Sequence, residues 1–217
     1  MAIKVFLADD HAIVREGLRL ILESEGDIKV VGEASNGRQA VREVRKDCPD
    51  VVVMDISMPE LEGIEATRQI REACHSTKVI ILSVYSTAEH IARALEAGAK
   101  GYLLKEVAGQ EVVKALRAVH AGRRYFCESI SEKMVDDYKA QRKGVAEKSP
   151  LERLSSRERE ILQLVVEGKS SAGIAETLYL SSKTVETYRS RLMQKLEIHD
   201  LPGLVKFSIQ HGLTQLE

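Results

Sequence analysis

The sequence is poor in residues and segments that mark several classes of protein. Tryptophan is absent, and only three cysteines occur, Cys48, Cys74 and Cys127. An odd number of cysteines without metal-type spacing argues against both a disulfide framework and a zinc site. We therefore expect all three to be ordinary buried or half-buried thiols in a reducing compartment.

Long hydrophobic runs are also missing. No segment has 18 consecutive apolar residues, so none is predicted to cross a membrane. The opening run IKVFLA, residues 3–8, is broken by Asp9 and Asp10 and is too short for a signal peptide. These features predict a cytoplasmic protein with no membrane partner.

The chain has no excess of charge of either sign. Its formal net charge is −1 over 217 residues, which by itself indicates neither a nucleic-acid nor a membrane partner. The hydrophobic content of 44% and the charged content of 30% are typical of a globular protein. At this length, one large domain and two small ones are both plausible.

The first 122 residues alternate between strand and helix patterns. Each strand is a nearly continuous apolar run, as expected for strands buried on both faces of a parallel sheet. The interpretation is an α/β doubly wound, five-stranded parallel sheet with right-handed crossovers. The predicted strands are 3–8, 29–34, 51–54, 78–83 and 101–104, each followed by a helix.

The rest of the chain shows helix patterns only. Residues 123–150 carry a weak apolar stripe that Gly144 and Pro150 interrupt, which indicates a linker with one helix. Residues 151–217 contain about four helix patterns and no strand, which predicts a small all-α domain.

Charged side chains follow the ends of the predicted first and third strands. Asp9 and Asp10 end the first strand, and Asp55 ends the apolar run VVVM. Ligands of such sheets bind beyond the carboxyl ends of the strands. If strands one and three are neighbours, as in the order 2-1-3-4-5, three carboxylates converge and repel one another. A bound Mg²⁺ would remove that repulsion.

Ser83 ends the fourth strand, and the fifth runs into Lys105. An ammonium and a hydroxyl beside the metal could bind the oxygens of an anion. Asp55 would then be the nucleophile that accepts a phosphoryl group. Each residue alone is more often a turn, capping or solvated residue, so only the combination favours a site.

Four motifs carry a resemblance to a known family. LADDH, VVVMDISMPELEG, VIILSVY and GAKGYLLK resemble the receiver domain of bacterial two-component response regulators, over about residues 1–122. The resemblance implies a flavodoxin-like fold with strand order 2-1-3-4-5. It also implies that a sensor histidine kinase phosphorylates Asp55.

The resemblance assigns further roles around Asp55. Asp9 and Asp10 would bind Mg²⁺, Asp10 directly, and the Ser57 backbone carbonyl would be another ligand. Lys105 would supply the cation, and Ser83 and Tyr102 would form the switch pair. Glu106 stands where many receivers have proline, and Glu62 where aspartate is common. Ser57 and Tyr85 occupy positions that tune dephosphorylation in such domains.

Residues 155–196 contain a helix-turn-helix pattern. Ser155 or Ser156 would cap the first helix, which Gly168 ends, and Ser181 would cap the third. The polar face of the third helix, which we call the recognition face, consists of Lys183, Thr187, Ser190, Arg191 and Gln194. Two short helices with a sharp turn and a polar second helix fit docking into the major groove of double-stranded DNA.

A plain helical bundle with a solvated face remains an alternative, because residues 151–217 have no net charge. Residues 182–196, however, carry four basic residues against Glu186, a local excess of +3. Binding to DNA depends on local phosphate contacts rather than on the charge of a whole domain.

The segments LSSREREILQLVVEGKS and IAETLYLSSKTVETYRSRLMQKL resemble the LuxR-type DNA-binding module, over about residues 151–217. With the receiver, this resembles the NarL/FixJ family of transcriptional regulators. The resemblance implies that the third helix reads DNA and that the fourth, about 201–211, contributes to dimerisation. Pro202-Gly203 in the fourth helix and Gly173 in the second depart from the usual pattern.

The leading hypothesis is a transcription factor controlled by phosphorylation, homodimeric when phosphorylated, with Tyr102 turning inward upon activation. The sequence leaves open whether the unphosphorylated receiver covers the third helix. The protein would not be an enzyme, beyond self-phosphorylation from a phosphodonor and slow autodephosphorylation. Two alternatives stay open, a phospho-dependent protein-interaction adaptor and an aspartyl-phosphate phosphohydrolase, although Ser57 occupies the position of the hydrolase's second acid.

Overall fold

The structure is a computed structural model that describes residues 2–142 and 149–214. Its first part is a parallel sheet with strand order β2-β1-β3-β4-β5-β6. The strands are β1 Ile3–Ala8, β2 Ile28–Ala34, β3 Val51–Asp55, β4 Lys78–Ser83, β5 Gly101–Leu104 and β6 Tyr125–Phe126. The predicted order of the first five strands is confirmed, and β1 and β3 are direct neighbours.

A sixth strand was not predicted. Tyr125 and Phe126 pair in parallel with Gly101 and Tyr102 of β5. The sequence placed these two residues in the linker, because a two-residue strand is too short to show a period of its own. The linker therefore begins with an extension of the receiver sheet.

Helices cover both faces of the sheet. The helices of this part are α1 Ala12–Glu23, α2 Gly37–Asp47, α3 Gly63–Ala73, α4 Ala88–Ala97, α5 Ala108–His120 and α6 Glu128–Arg142. Helices α1 and α5 pack together on one face, and α2, α3 and α4 pack side by side on the other. All five residues of β3 are buried between these layers, which explains its uninterrupted apolar sequence.

Local signals in the sequence set several helix ends. The Asn36 side chain accepts a hydrogen bond from the Gln39 N–H at 2.7 Å and caps α2, as predicted. Gly98 ends α4 with φ of 104°, a left-handed conformation that glycine adopts without a steric penalty.

As far as the structure describes it, the second part has a 3-10 turn, Pro150–Arg153, and four short α-helices around a separate apolar core. They are α7 Ser156–Val166, α8 Ser171–Leu178, α9 Ser182–Leu196 and α10 Leu201–Gln210. Ser155 caps α7 in a capping box with Glu158, and Ser181 caps α9. Tyr179 takes a left-handed conformation at the sharp turn between α8 and α9. Among the described residues, no helix is long and apolar enough to cross a membrane.

The expectation of three free thiols was wrong for two of them. Cys48 and Cys74 form a disulfide with their Cα atoms 5.6 Å apart, and Cys127 is a buried free thiol. The two bonded cysteines follow the last residues of α2 and α3. Because these helices are neighbours on one face of the sheet, residues 26 positions apart come within bonding distance.

Candidate functional site

The acidic side chains meet at the carboxyl end of the sheet. Since β1 and β3 are neighbours, the loop after β1 brings Asp9 and Asp10 next to Asp55 at the end of β3. One potential ligand atom from each of these residues and from His11 lies within 4.8 Å of all the others. The geometry therefore groups the three acids as the sequence predicted.

Lys105 lies inside this acidic cluster. Its Nζ is 2.7 Å from Asp55 Oδ2 and 2.8 Å from Asp9 Oδ2. The other oxygen of Asp55, Oδ1, accepts a hydrogen bond from the Ile56 N–H at 2.7 Å. Asp55 is only 2% exposed, so neighbouring groups rather than bulk water determine its charge state.

Burial raises the pKa of Asp55 to about 7, with a further contribution from the negative charge of Asp9, while Lys105 acts in the opposite direction. Burial alone would lower the pKa of Lys105. The interactions with Asp55 and Asp9 outweigh that effect and raise it. Lys105 therefore stays positively charged at neutral pH, whereas the carboxyl group of Asp55 is partly protonated.

The predicted switch pair is already buried. Ser83 Oγ accepts a hydrogen bond from the Tyr85 N–H at 3.0 Å. The Tyr102 hydroxyl donates to the Tyr85 carbonyl at 2.8 Å, and its ring is completely buried. Tyr102 therefore already points inward in this structure, as the resemblance implies for the activated state. Burial raises the pKa of Tyr102 well above its ordinary value, so the hydroxyl stays protonated and available as a donor.

His11 is a member of the cluster that was not predicted. Its Nδ1 lies 2.7 Å from Asp10 Oδ1, and its backbone N–H donates to Asp9 Oδ1 at 2.9 Å. The available signal was its position directly after two acids at the end of a strand. A histidine there can hold a carboxylate in place or bind a metal ion itself.

The loop between β3 and α3, residues 56–62, is held by the second part of the protein. Gln163 of α7 donates from Nε2 to the Met58 carbonyl at 2.8 Å and accepts from the Glu62 N–H at 2.7 Å. Glu167 accepts from the Glu60 N–H at 2.9 Å. We call this pair of side chains, Gln163 and Glu167, the α7 clasp.

A second contact is formed by the end of α10. Nδ1 of His211 lies 3.2 Å from a carboxylate oxygen of Glu89. The Ser57 hydroxyl donates to the Gly212 carbonyl at 3.4 Å. A Cβ atom on Gly212 would lie 2.4 Å from a ring nitrogen of His90, so the chain approaches α4 as closely as glycine permits.

A cavity of about 890 Å³ separates the acidic cluster from the four-helix part. Asp10, His11 and Ser57 line one side, and Glu167 and Lys169 line the other. The space beside the acidic cluster is thus lined by both parts of the chain.

The recognition face of α9 is exposed to solvent. Val185 and Leu192 bury the opposite side of the helix in the four-helix core. The exposed residues include every member of the predicted recognition face, namely Lys183, Thr187, Ser190, Arg191 and Gln194. The sequence left open whether the first part of the chain covers this face. The contacts described above come from α7 and the end of α10, and they leave the recognition face exposed.

Two of the basic residues on α9 are already engaged. Lys195 Nζ lies 2.7 Å from Glu158, and an Arg189 guanidinium nitrogen donates to the Ser171 hydroxyl at 3.1 Å. These contacts fix α9 against α7 and α8. Among the described residues, Lys183 and Arg191 carry the positive charge of the recognition face that no salt bridge engages.

Comparison with known proteins assigns both parts of the chain. Residues 5–117 match the family described as "Response regulator receiver domain". Residues 152–208 match "Bacterial regulatory proteins, luxR family".

Relatives with the same organisation span almost the whole chain. The response regulator UvrY of Escherichia coli K12 is 44% identical over 99% of this chain and 97% of its own. The oxygen regulatory protein NreC of Staphylococcus haemolyticus is 37% identical over 97% of this chain and 98% of its own.

A solved structure of RcsB from Salmonella enterica serovar Typhimurium, bound to promoter P1flhDC in the presence of the phosphomimetic BeF3−, is also similar. It aligns with a TM-score of 0.60 and 29% identity, covering 95% of this chain and 98% of RcsB. Together with its two family matches, this places the chain in the NarL/FixJ family of two-component response regulators, which are transcriptional regulators with a receiver domain and a LuxR-type DNA-binding domain.

Proposed function

We propose that this protein is switched by phosphorylation of Asp55 by a sensor histidine kinase. In this proposal residues 1–122 receive the phosphoryl group, residues 123–150 link the domains, and residues 151–217 bind double-stranded DNA. The observation that carries it is the ion pair between Asp55 and Lys105 at 2.7 Å inside a cluster of acids. Because the kinase domain that phosphorylates Asp55 would be cytoplasmic, the protein would also be located in the cytoplasm.

The residues present fit a magnesium ion. Asp9 Oδ2 and Asp10 Oδ1 are buried oxygens without a well-formed hydrogen bond, although Lys105 and His11 nitrogens lie close to them. Carboxylate oxygens with a carbonyl and water are the ligands that Mg²⁺ prefers. We assign Asp9, Asp10, Asp55 and the Ser57 carbonyl as its ligands. When bound, the ion would neutralise charge on the transferring phosphoryl group.

The side chains around Asp55 then have separate tasks. The carboxylate of Asp55 would attack the phosphorus atom of a phosphohistidine. The P–N bond would break, and the imidazole of the kinase histidine would leave. Lys105 is positioned to hold one of the transferred oxygens with its fixed positive charge. Ser83 offers a hydroxyl from the end of the neighbouring strand β4. The only reactions proposed for this protein are transfer of the phosphoryl group to Asp55 and its slow hydrolysis by water.

Helix α1 offers a surface for the kinase. It begins two residues after Asp10, and it exposes Ile13 by 80% and Leu20 by 74%. These residues are seven positions apart and therefore lie on one side of the helix. Apolar side chains exposed beside a reaction site are suited to a protein partner.

Release of the DNA-binding domain is the proposed response. Three oxygens added to Asp55 need space beside Ser57, which contacts Gly212 in the docked state. The α7 clasp also holds the loop that follows Asp55. Phosphorylation and docking therefore compete. The phosphoryl group would favour the undocked state and so lower the population of the docked state.

The release would free α10 for dimerisation. The end of α10 is held by Glu89 and packs against His90 in this structure, whereas the recognition face is already exposed. We infer that phosphorylation acts by making a homodimer available rather than by uncovering α9. A dimer would bind two half-sites about one helical turn apart.

DNA binding measured with and without beryllofluoride tests this proposal. Genomic footprinting of the phosphorylated protein would first identify an operator. The operator affinity at matched salt should then rise at least about tenfold with beryllofluoride and Mg²⁺. Asp55→Asn should show no such rise, and equal affinities for the wild-type protein would reject the switch.

A further inference from the structure

The disulfide between Cys48 and Cys74 lies away from the acidic cluster. It joins the carboxyl-terminal ends of α2 and α3, while Asp55 lies near the amino-terminal end of α3. Cys48 is exposed, whereas Cys74 is 3% exposed. One residue of the pair therefore faces solvent, and the other is shielded.

The backbone at Cys48 adds a second observation. Cys48 ends α2 with φ of 41°, in the left-handed region. Glycine is the usual residue at such a helix end, because any side chain there is strained. The bond to Cys74 holds Cys48 in this strained conformation.

The two helices joined by this bond together form a seat for the DNA-binding domain. Gln69 of α3 donates to a carboxylate oxygen of Glu160 in α7 at 2.7 Å. Arg38 of α2 lies 3.6 Å from the other oxygen. Arg157 of α7 also holds the second oxygen, at 2.8 Å. The Glu160 side chain is buried, and its contacts with Arg38 and Gln69 depend on the spacing of α2 and α3.

We propose that Cys48 and Cys74 form a thiol–disulfide site for low-molecular-weight disulfides, and that its oxidation strengthens docking of the DNA-binding domain on the receiver. The covalent bond fixes α2 against α3, and this holds Arg38 and Gln69 at the spacing that Glu160 requires. Reduction lets the two helices separate and weakens the seat.

The chemistry balances with a small disulfide as oxidant. The Cys48 thiolate attacks one sulfur of the small disulfide, forming a mixed disulfide and releasing one small thiolate. The Cys74 thiolate then attacks the Cys48 sulfur, forming the protein disulfide and releasing the second. Two protein thiols lose two electrons and two protons, and the small disulfide is reduced to two thiols.

Alkylation of the unfolded full-length protein tests the site itself. The protein is first incubated with oxidised glutathione or with dithiothreitol, and no phosphodonor is present. After dithiothreitol all three cysteines should be alkylated, whereas after oxidised glutathione only Cys127 should react. Three alkylated cysteines under both conditions, or a lasting glutathione adduct on Cys48, would overturn the proposal.

Hydrogen exchange of residues 156–167 tests the link to docking. Amide exchange in α7 should be about fivefold faster in the reduced protein than in the oxidised protein. Cys48→Ser, which keeps a side chain at the left-handed position, should match the reduced wild type. Cys127→Ser is the matched control and should show the same difference in exchange between the reduced and oxidised protein as the wild type. Equal exchange in both redox states of the wild type would overturn the proposed link between oxidation and docking. Neither measurement depends on Asp55, so the result stands apart from the phosphorylation proposal.

Discussion

The amide group of Gln163 bridges two backbone groups on either side of the loop that follows Asp55. Its nitrogen donates to the Met58 carbonyl and its oxygen accepts from the Glu62 N–H. Gln163 is 2% exposed, so water cannot replace these hydrogen bonds in the docked state. Gln163 thus ties the loop that follows Asp55 to the DNA-binding domain.

Gln163→Ala should speed phosphorylation of the full-length protein by acetyl phosphate. Removing the bridge leaves two buried backbone groups unpaired, which costs about 1–3 kcal/mol of the docked state. If docking and phosphorylation compete, the rate should rise between about fivefold and a hundredfold. Mass spectrometry of the aspartyl-phosphate measures it.

Gln194→Ala is the matched control, because Gln194 is exposed on α9 and touches no part of the receiver loop. Its phosphorylation rate should equal that of the wild type. A slower rate in Gln163→Ala would show that the clasp prepares the loop for phosphorylation instead of competing with it.

Asp10→Asn should weaken Mg²⁺ binding by at least about tenfold, because it removes one carboxylate from a small oxygen site. Calorimetry at pH 7 measures the affinity. Since burial raises the pKa of Asp55 to about 7, cation binding at this pH should also release a fraction of a proton. The proton release is detected because the measured heat of Mg²⁺ binding then changes with the ionisation enthalpy of the buffer.

Glu16→Gln on the exposed side of α1 is the control for charge near the site. It should leave Mg²⁺ affinity unchanged within about twofold. Unaltered affinity in Asp10→Asn would remove this residue from the ligand set.

Much of the site was predictable because a parallel sheet determines which strand ends are neighbours. Asp9, Asp55 and Lys105 follow apolar runs in the sequence, and the order of β1, β3, β4 and β5 brings them together. The helix caps at Asn36 and Ser181 were likewise predictable from local signals.

The contacts between the domains could not be predicted in the same way. Gln163 is a polar residue in an amphipathic helix, and nothing in its local pattern distinguishes a solvated position from a buried one. The partners of its side chain are 105 and 101 residues away. The pairing of Cys48 with Cys74 was missed for a similar reason, since it depends on the packing of α2 against α3.

Gly63→Ala should lower the free energy of unfolding by about 3 kcal/mol or more. A Cβ atom on Gly63 would lie 1.7 Å from the Asp55 carbonyl oxygen, so α3 would have to move away from β3. Urea unfolding measures the loss. Gly26→Ala is the matched control, because a Cβ there meets nothing within 4 Å, and its stability should change by less than about 1 kcal/mol.

Acid should weaken the contact between α10 and α4 through His90. Burial lowers the pKa of His90 to about 4, and the neighbouring Arg93 adds to this, while Glu89 acts in the opposite direction. His90 is buried against the end of α10, so the charge that a second proton adds would be poorly solvated. Between pH 6.5 and pH 4 the unfolded chain binds more protons than the folded one, and stability therefore falls as the pH is lowered.

The loss attributable to His90 should approach about 3 kcal/mol at pH 4. Urea unfolding at a series of pH values measures it in the wild type and in His90→Phe, whose ring can still stack on Tyr85 as His90 does. The variant should lose less stability on acidification. His75→Phe at an exposed position is the control, and the same pH profile in all three proteins would exclude His90 as the cause.

Lys183→Ala combined with Arg191→Ala should weaken operator binding and reduce its dependence on salt. Both side chains are exposed on the recognition face, whereas Lys195 and Arg189 are held by contacts within the domain. Each lost phosphate contact lowers the slope of log affinity against log salt by about 1, and each lost base contact costs about 1–3 kcal/mol for the preferred sequence. Fluorescence anisotropy at several salt concentrations separates the two effects. Lys29→Ala, an exposed lysine on β2 of the receiver, should leave both quantities unchanged. Unaltered DNA binding in the double variant would mean that another surface of the domain contacts DNA.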